Sequence, residues 1–385
     1  MKPLACTLLA LAAPVTLLAQ EVPDTTHLQE LVVTATGTPT PADAVVSSVT
    51  VITGQELRDR GIHFVQDALR QVPGAAVVQG GSYGGVSSLF LRGGESDYVK
   101  VLIDGVPVNQ SGGAYNWGNL TTDNVERIEV LRGPGSVMYG SDAVTGVVQI
   151  FTRGGASGFG VEGEAQGGTF GTAQGQASVL GGSERLNYSA SAGRIATDGT
   201  YPFNNDYGNT VLSGALRSVP DDRTDLSASA RYYDTRYHFP TDFSGALADS
   251  NQSSSEEALA LGLDAGRRLS SRYELRLNLG GSRSNTGFED TSDSPGDTLG
   301  FGFASQREAR AQRGKAELRL NAQLSPTLTL TGGGLVERES ERQSGETTSN
   351  FGTIETSRDI PFDRSRTTTG LYLQGVLDVA SGLAA

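Results

Sequence analysis

Between residues 315 and 324 the side chains alternate without a break. Ala316, Leu318, Leu320, Ala322 and Leu324 fall on one face, and Lys315, Glu317, Arg319, Asn321 and Gln323 on the other. A period of two makes an extended ribbon with one apolar side and one charged side, which suits a wall with lipid outside and water inside. The pattern recurs: residues 273–279 read Tyr, Glu, Leu, Arg, Leu, Asn, Leu, and Leu371, Leu373, Leu377 and Val379 oppose Tyr372, Gln374 and Asp378. About ten such strands are legible, near 160–168, 173–181, 186–195, 209–218, 224–234, 256–267, 272–284, 308–323, 327–339 and 366–379.

The connections between these strands alternate in length. Residues 182–185, 219–223, 269–271 and 325–326 are tight, whereas 196–208, 235–255, 285–307 and 340–365 are long and polar. Short turns on one side and long loops on the other are the layout of an outer-membrane β-barrel. A soluble antiparallel sandwich also alternates, but it rarely repeats hairpins with lengthening loops over roughly 200 residues.

The start of the chain decides the compartment. Lys2 precedes an apolar run over residues 4–18, and Ala19 is the small residue before the acidic stretch that follows. That is the form of a secretory signal peptide, cleaved after Ala19, and it is too short for a spanning helix. The single cysteine, Cys6, lies inside this leader, so a mature chain has no disulfide. Loss of Lys2 with the leader takes the net charge from −13 to −14, a balance that argues against nucleic-acid binding. No later segment approaches the roughly 20 apolar residues of a transmembrane helix, so membrane entry would be by strands.

Between leader and wall lie a polar tether, residues 20–45, and a compact mixed α+β domain, residues 46–153, with the strand-rich region occupying 154–385. Residues 49–52 alternate as a strand, and Thr53 is placed to cap a helix with Glu56 three residues on. Phe64, Ala68 and Leu69 give a second short helix its apolar face, ended by Pro73 and Gly74. Further strands are expected at 88–92, 125–131 and 146–152, and a tight hairpin at Asp104-Gly105. On the tether, residues 31–37 read LVVTATG, strong strand formers with no local partner, a segment able to add to another protein's sheet edge.

The runs SSLFLRGGESDYVKVLIDGVPVN and VERIEVLRGPGSVMYGSDAVTGVVQIFTR closely resemble the plug domain of TonB-dependent outer-membrane receptors, and RGPGSVMYGSDAVTGVVQI is most similar to the vitamin B12 transporter group. The resemblance implies a mixed α+β plug followed by an antiparallel transmembrane β-barrel, of which about ten strands are present. It places Leu31, Val32, Val33, Thr34 and Ala35 at the TonB box, where the periplasmic protein TonB would pair and pull. It implies plug-to-barrel contacts by Arg92, Arg127, Glu129 and Arg132, with Glu274 and Glu317 as lumen-facing partners, against a reading of these as ordinary paired or solvated charges.

The Gly-rich loops at 79–85 and 110–118 would face outward and offer Tyr83, Asn109, Tyr115, Asn116 and Trp117 to a large ligand, although Trp117 could equally pack the plug against the wall. In loop 196–208, Asp198 and Asp206, with Asn204 and Asn205, supply hard oxygen ligands of the kind calcium takes. The alternative there is a solvated acidic loop. No other cofactor is expected.

The expected function is TonB-dependent uptake of a large scarce ligand, a corrinoid or an iron–siderophore complex, across the bacterial outer membrane. The expected partners are TonB, outer-membrane lipid and that ligand. The alternative from another class is a non-transporting outer-membrane binding or adhesion barrel. No enzyme is legible: GPGSVMYGS lacks the Gly-Lys-Ser/Thr end of a phosphate loop, and His27, His63 and His238 have no acid or nucleophile at a meaningful spacing. The chain ends at Ala385 without the terminal aromatic of such barrels, and enclosing a plug takes about 22 strands. A fragment of a longer protein is therefore expected.

Overall fold

The computed structural model describes residues 31–34, 40–41, 45, 47–155, 157–241, 245–291, 304–350, 355–359, 361–380 and 383–384. The leader and most of the tether lie outside the described residues. Two short strands, β1 (Leu31–Val32) and β2 (Thr40–Pro41), pair antiparallel. The compact domain follows with β3 (Ser48–Thr53), α1 (Gly54–Asp59), α2 (Val65–Leu69), β4 (Ala75–Gln79), β5 (Ser87–Leu91), β6 (Val99–Ile103), β7 (Val106–Pro107), β8 (Val125–Arg132), α3 (Ser136–Tyr139) and β9 (Gly146–Thr152). Its sheet has the order β3-β8-β9-β6-β7, antiparallel except for β6 beside β9, and β4–β5 form a separate hairpin.

Local chemistry accounts for these elements. The Thr53 hydroxyl accepts the Glu56 amide at 3.1 Å and caps α1. Asp104 and Gly105 both take positive φ, 48° and 80°, the backbone a two-residue hairpin with right-handed twist requires. Leu57, Leu69, Leu89, Val101, Ile128 and Ile150 close one apolar core between the helices and the sheet.

The wall is a twelve-stranded antiparallel sheet. It comprises β10 (Gly158–Gly167), β11 (Ala173–Gly182), β12 (Leu186–Thr197), β13 (Tyr207–Asp221), β14 (Thr224–His238), β15 (Ser253–Arg268), β16 (Tyr273–Asp290), β17 (Ala304–Ser325), β18 (Leu328–Asn350), β19 (Glu355–Asp359), β20 (Phe362–Ala380) and β21 (Leu383–Ala384). Neighbours in sequence pair in space, except that both β19 and β20 pair with β18. All ten expected strands form. Several run further than hydropathy suggested, β17 to 22 residues and β18 to 23, so the long polar loops are shorter than expected. The extra length is polar on both faces, and ladder hydrogen bonds continue there without an apolar stripe.

The wall curves round the compact domain. Arg231, Tyr233 and Thr235 of β14 and Glu256 of β15 are buried on its inner face. On the outer face, Leu259, Leu261, Leu263, Leu318, Leu371 and Leu373 are exposed and form an apolar band toward the tight-turn end. Unsatisfied charge is costly in hydrocarbon, so this band marks where the wall meets lipid.

Candidate functional site

The first feature is the tethered segment. Val32 and Thr34 are fully buried, and the Glu129 carboxylate that holds them is fully buried too. Its Oε2 accepts the Val33 amide at 2.9 Å, the Thr34 amide at 2.8 Å and the Thr34 hydroxyl at 2.7 Å. Its Oε1 accepts Arg127 Nε at 2.8 Å, and the Arg127 guanidinium lies 3.8 Å from the centre of the Phe151 ring. Glu129 and Gln149 face each other across β8 and β9, and Gln149 Oε1 lies 3.3 Å from the Thr34 hydroxyl.

Sequence reasoning left this segment unpartnered. The structure corrects that, because a buried carboxylate needs donors and the free amides of an extended chain supply them. Ala35 lies outside the described residues. Val33 also lines a cavity of about 900 Å³ between plug sheet and wall on the tight-turn side, with Phe151, Arg217, Asp264, Arg276 and Lys315 among its walls.

The second feature is the pair of Gly-rich plug loops. Tyr83 keeps 42% of its surface exposed and stacks on Tyr207 of the wall at 6.2 Å. Of its expected companions, Asn109 and Trp117 are buried, whereas Tyr115 and Asn116 keep part of their surface and line a cleft against β14 and β15. Asn109 is buried, its Oδ1 accepting the Val101 amide and its Nδ2 donating to the Val99 and Gly113 carbonyls. The Asn116 oxygen accepts the amides of Ser87 and Gly118. Trp117 is buried in the core with Tyr115 edge-on at 5.0 Å. Burial, with the Glu256 carboxylate nearby, pushes the Tyr115 phenol well above its usual range. Glycine lets these loops fold back tightly, and their polar side chains then satisfy backbone groups that water cannot reach.

The third feature is the seam between plug and wall, and here six expectations are corrected. Arg127 and Glu129 serve the tethered segment. Arg92 is exposed, and Arg132 donates to the Pro73 carbonyl inside the plug. Glu274 pairs with Arg276, and Glu317 with Lys315 and Tyr372, all within the wall.

The seam rests instead on Lys100, the one charge in the buried run of β6. Its ammonium lies 3.3 Å from Asp142 of the plug and 3.0 Å from Glu337 of β18. Arg313 of β17 reaches Asp142 at 2.9 Å, Glu337 at 2.7 Å and Glu339 at 2.7 Å, and Arg366 of β20 reaches Asp142 and Glu339. The carboxylates of Asp142, Glu337 and Glu339 converge closely enough to hold a metal ion. Three cations already neutralise them. Burial alone would raise the Asp142 carboxyl, but Lys100 and Arg313 outweigh it and hold it down to about 2. A lysine isolated in an apolar run must find a buried counter-charge, and that signal was available in the sequence.

Hydrogen bonds extend the seam. Arg231 donates to the carbonyls of Asp123 and Thr121, both at 2.7 Å, Asn119 to Glu256 at 2.8 Å, and Ser282 to the Pro107 carbonyl at 2.6 Å. In loop 198–206 the Asp206 carboxylate turns to His238 at 2.9 Å, while Asp198 stands beside Gly171. Among the described residues these two carboxylates join no metal-capable group. His63 lies between Gln166 and Gln174.

A plug bound through a charge-balanced seam to a wall with an apolar outer band is the architecture of TonB-dependent receptors of the bacterial outer membrane, which the chain resembles. Residues 41–147 match the family described as TonB-dependent Receptor Plug Domain. The chain is 39% identical over 150 residues to the vitamin B12 transporter BtuB of Vibrio vulnificus (strain CMCP6), a match covering 39% of this chain and 24% of that protein. The fold is similar to the ferripyoverdine receptor of Pseudomonas aeruginosa, with a TM-score of 0.72 at 17% identity over 91% of this chain and 52% of that one. It is similar also to the ferric citrate transporter FecA, with a TM-score of 0.73 at 15% identity over 88% and 55% of the two chains. The chain thus spans about a quarter of the curated relative and about half of these solved structures.

Proposed function

We propose that this chain supplies the plug and adjoining wall of an importer that carries a large scarce ligand across the outer membrane, with TonB pulling on residues 31–35. A corrinoid ranks ahead of an iron–siderophore complex, on the strength of the similarity to a vitamin B12 transporter over the plug. The observation that carries the reading is the placement of residues 31–34. Leu31–Val32 is a strand, the polar anchors of Val33 and Thr34 converge on one carboxylate, and Val33 borders a cavity on the tight-turn side. A segment so held can leave its seat without unfolding the plug sheet and can then pair edge-on with a partner strand.

Calcium ordering of loop 198–206 has less support, since Asp206 is already engaged by His238.

The test is capture of the detergent-solubilised chain by a purified TonB C-terminal domain, with Val33→Pro as the control. Binding that the proline abolishes supports energy-coupled uptake. Equal capture of both forms, or of neither, favours a passive outer-membrane binder.

A further inference from the structure

The charges along the seam sort into three groups, each neutral by itself. The plug contributes Lys100 and Asp142, which touch at 3.3 Å. The wall contributes Arg313, Glu337, Glu339 and Arg366. Arg313 reaches both glutamates at 2.7 Å, and Arg366 reaches Glu339 at 2.9 Å. Nearer the tight turns lies the third group, Lys315 with Glu317 at 2.8 Å. Both are largely buried, and among the described residues neither has an ion partner on the plug.

Strand pairing fixes how these groups stack. Arg313, Lys315 and Glu317 alternate along β17, so their side chains share its inner face. Arg313 stands opposite Glu339, and Lys315 opposite Glu337. One step along this face is two residues, about 7 Å. A plug displaced by one step toward the tight turns would carry Asp142 from Arg313 to Lys315, and Lys100 from Glu337 to Glu317. The wall quartet left behind is neutral, and so is the new quartet.

Two further features give this step room and a point to turn on. Lys315 and Glu317 line the cavity on the tight-turn side, and Met138 and Tyr139 of α3, shortly before Asp142, bound it from the plug. At the tip of the β6–β7 hairpin, Val106 sits over Gly262 and Gly280, which pair directly across β15 and β16. A Cβ on Gly262 would come within 3.0 Å of the Val106 side chain, and one on Gly280 within 3.2 Å. The tip is keyed to the wall there, while the Lys100 end of β6 is held to the wall by ion pairs.

We propose that the plug has a second seat one step nearer the tight turns, reached by pivoting about Val106 and exchanging Arg313 and Glu337 for Lys315 and Glu317. A buried charge stripped of its partner is strongly destabilising, and this exchange strips none. Packed interfaces switch between discrete arrangements rather than deform continuously. The inference goes beyond the import reading, because it concerns how plug meets wall whatever the cargo and whatever draws on the tether.

The test places spin labels at Val137→Cys on α3 and Thr327→Cys at the β17–β18 turn, both exposed, in the detergent-solubilised full chain. Cys6→Ser removes the only native cysteine. Double electron–electron resonance should give one distance in this parent. Arg313→Gln with Glu337→Gln empties the first seat, leaves Arg366 paired with Glu339, and should shorten that distance by about 7 Å. Glu337→Gln alone, a milder change that withdraws only the wall partner of Lys100, should populate both distances. Lys315→Gln with Glu317→Gln should keep the parent distance, and combined with the first pair should abolish the short one. The parent distance alone in both R313Q/E337Q and E337Q, or a broad spread without a second maximum, would overturn the proposal. So would a short distance that survives loss of Lys315 and Glu317.

Discussion

Thr34 gives Glu129 both its backbone amide, at 2.8 Å, and its hydroxyl, at 2.7 Å. The Val33 amide completes the set on the same oxygen. A partner strand pairing with this segment would need those amides, so the seated state competes with the partner. Glu129→Gln removes the charge that strengthens these bonds, a loss of about 1–2 kcal/mol. The seated population should fall and the apparent affinity for a TonB C-terminal domain rise roughly tenfold. Calorimetric titration of both forms checks this, and unchanged affinity would mean that the clasp does not gate pairing.

Lys100→Met should loosen the plug from the wall. It leaves the three carboxylates of Asp142, Glu337 and Glu339 facing two cations in a buried site. Breaking one partner out of a buried network costs about 3–5 kcal/mol. Adding Glu337→Gln restores the charge balance and should recover much of the loss. Urea midpoints of the two variants, followed by protease access to the plug, decide between charge balance and simple packing.

The Asp142 carboxyl makes the seam sensitive to acid. Its value is depressed from 3.8 to about 2 in the folded protein, so its contribution is fully present above the ordinary value. As pH falls from about 4 to about 2 the unfolded chain takes up the proton first, and that stability is lost. Trp117 is the only tryptophan, buried in the plug, and its fluorescence reports plug unfolding. Asp142→Asn should flatten the pH dependence over this interval. An equally steep profile in the variant would assign the acid response to other groups.

Asn109→Ala should lower stability rather than ligand affinity alone. It strips partners from the Val101 amide and from two carbonyls in a buried loop, at a cost of about 2–3 kcal/mol. Tyr83→Ala, at a residue still 42% exposed, should leave the unfolding midpoint within a degree or two and reduce ligand binding. Thermal melts set beside cyanocobalamin binding separate these two roles.

The wall was legible because alternation is a local property: one face of 315–324 is written residue by residue, and the pairing of β17 with β18 follows it. The Asp104-Gly105 turn and the Thr53 cap were legible for the same reason. Of the β4–β5 hairpin only β5 was expected; β4 was missed because Ala75–Gln79 has no sharp pattern and owes its form to pairing with Ser87–Leu91. The destinations of Glu129 and Lys100 were hidden, since each partner lies far along the chain. Asn109 and Trp117 look like ligand residues in a Gly-rich loop, and only the folded loop shows that their polar atoms and rings are already used inside.

The lengths of β17 and β18 have one further consequence. Twenty-two residues of strand reach about 70 Å, or roughly 55 Å upright after barrel tilt, against an apolar band of about 25 Å. The rim therefore stands tens of ångströms clear of the headgroups, several times the ~8 Å over which their charge is felt in physiological salt. An arriving molecule first meets a parapet in open water, and its capture should be indifferent to which lipids surround the base.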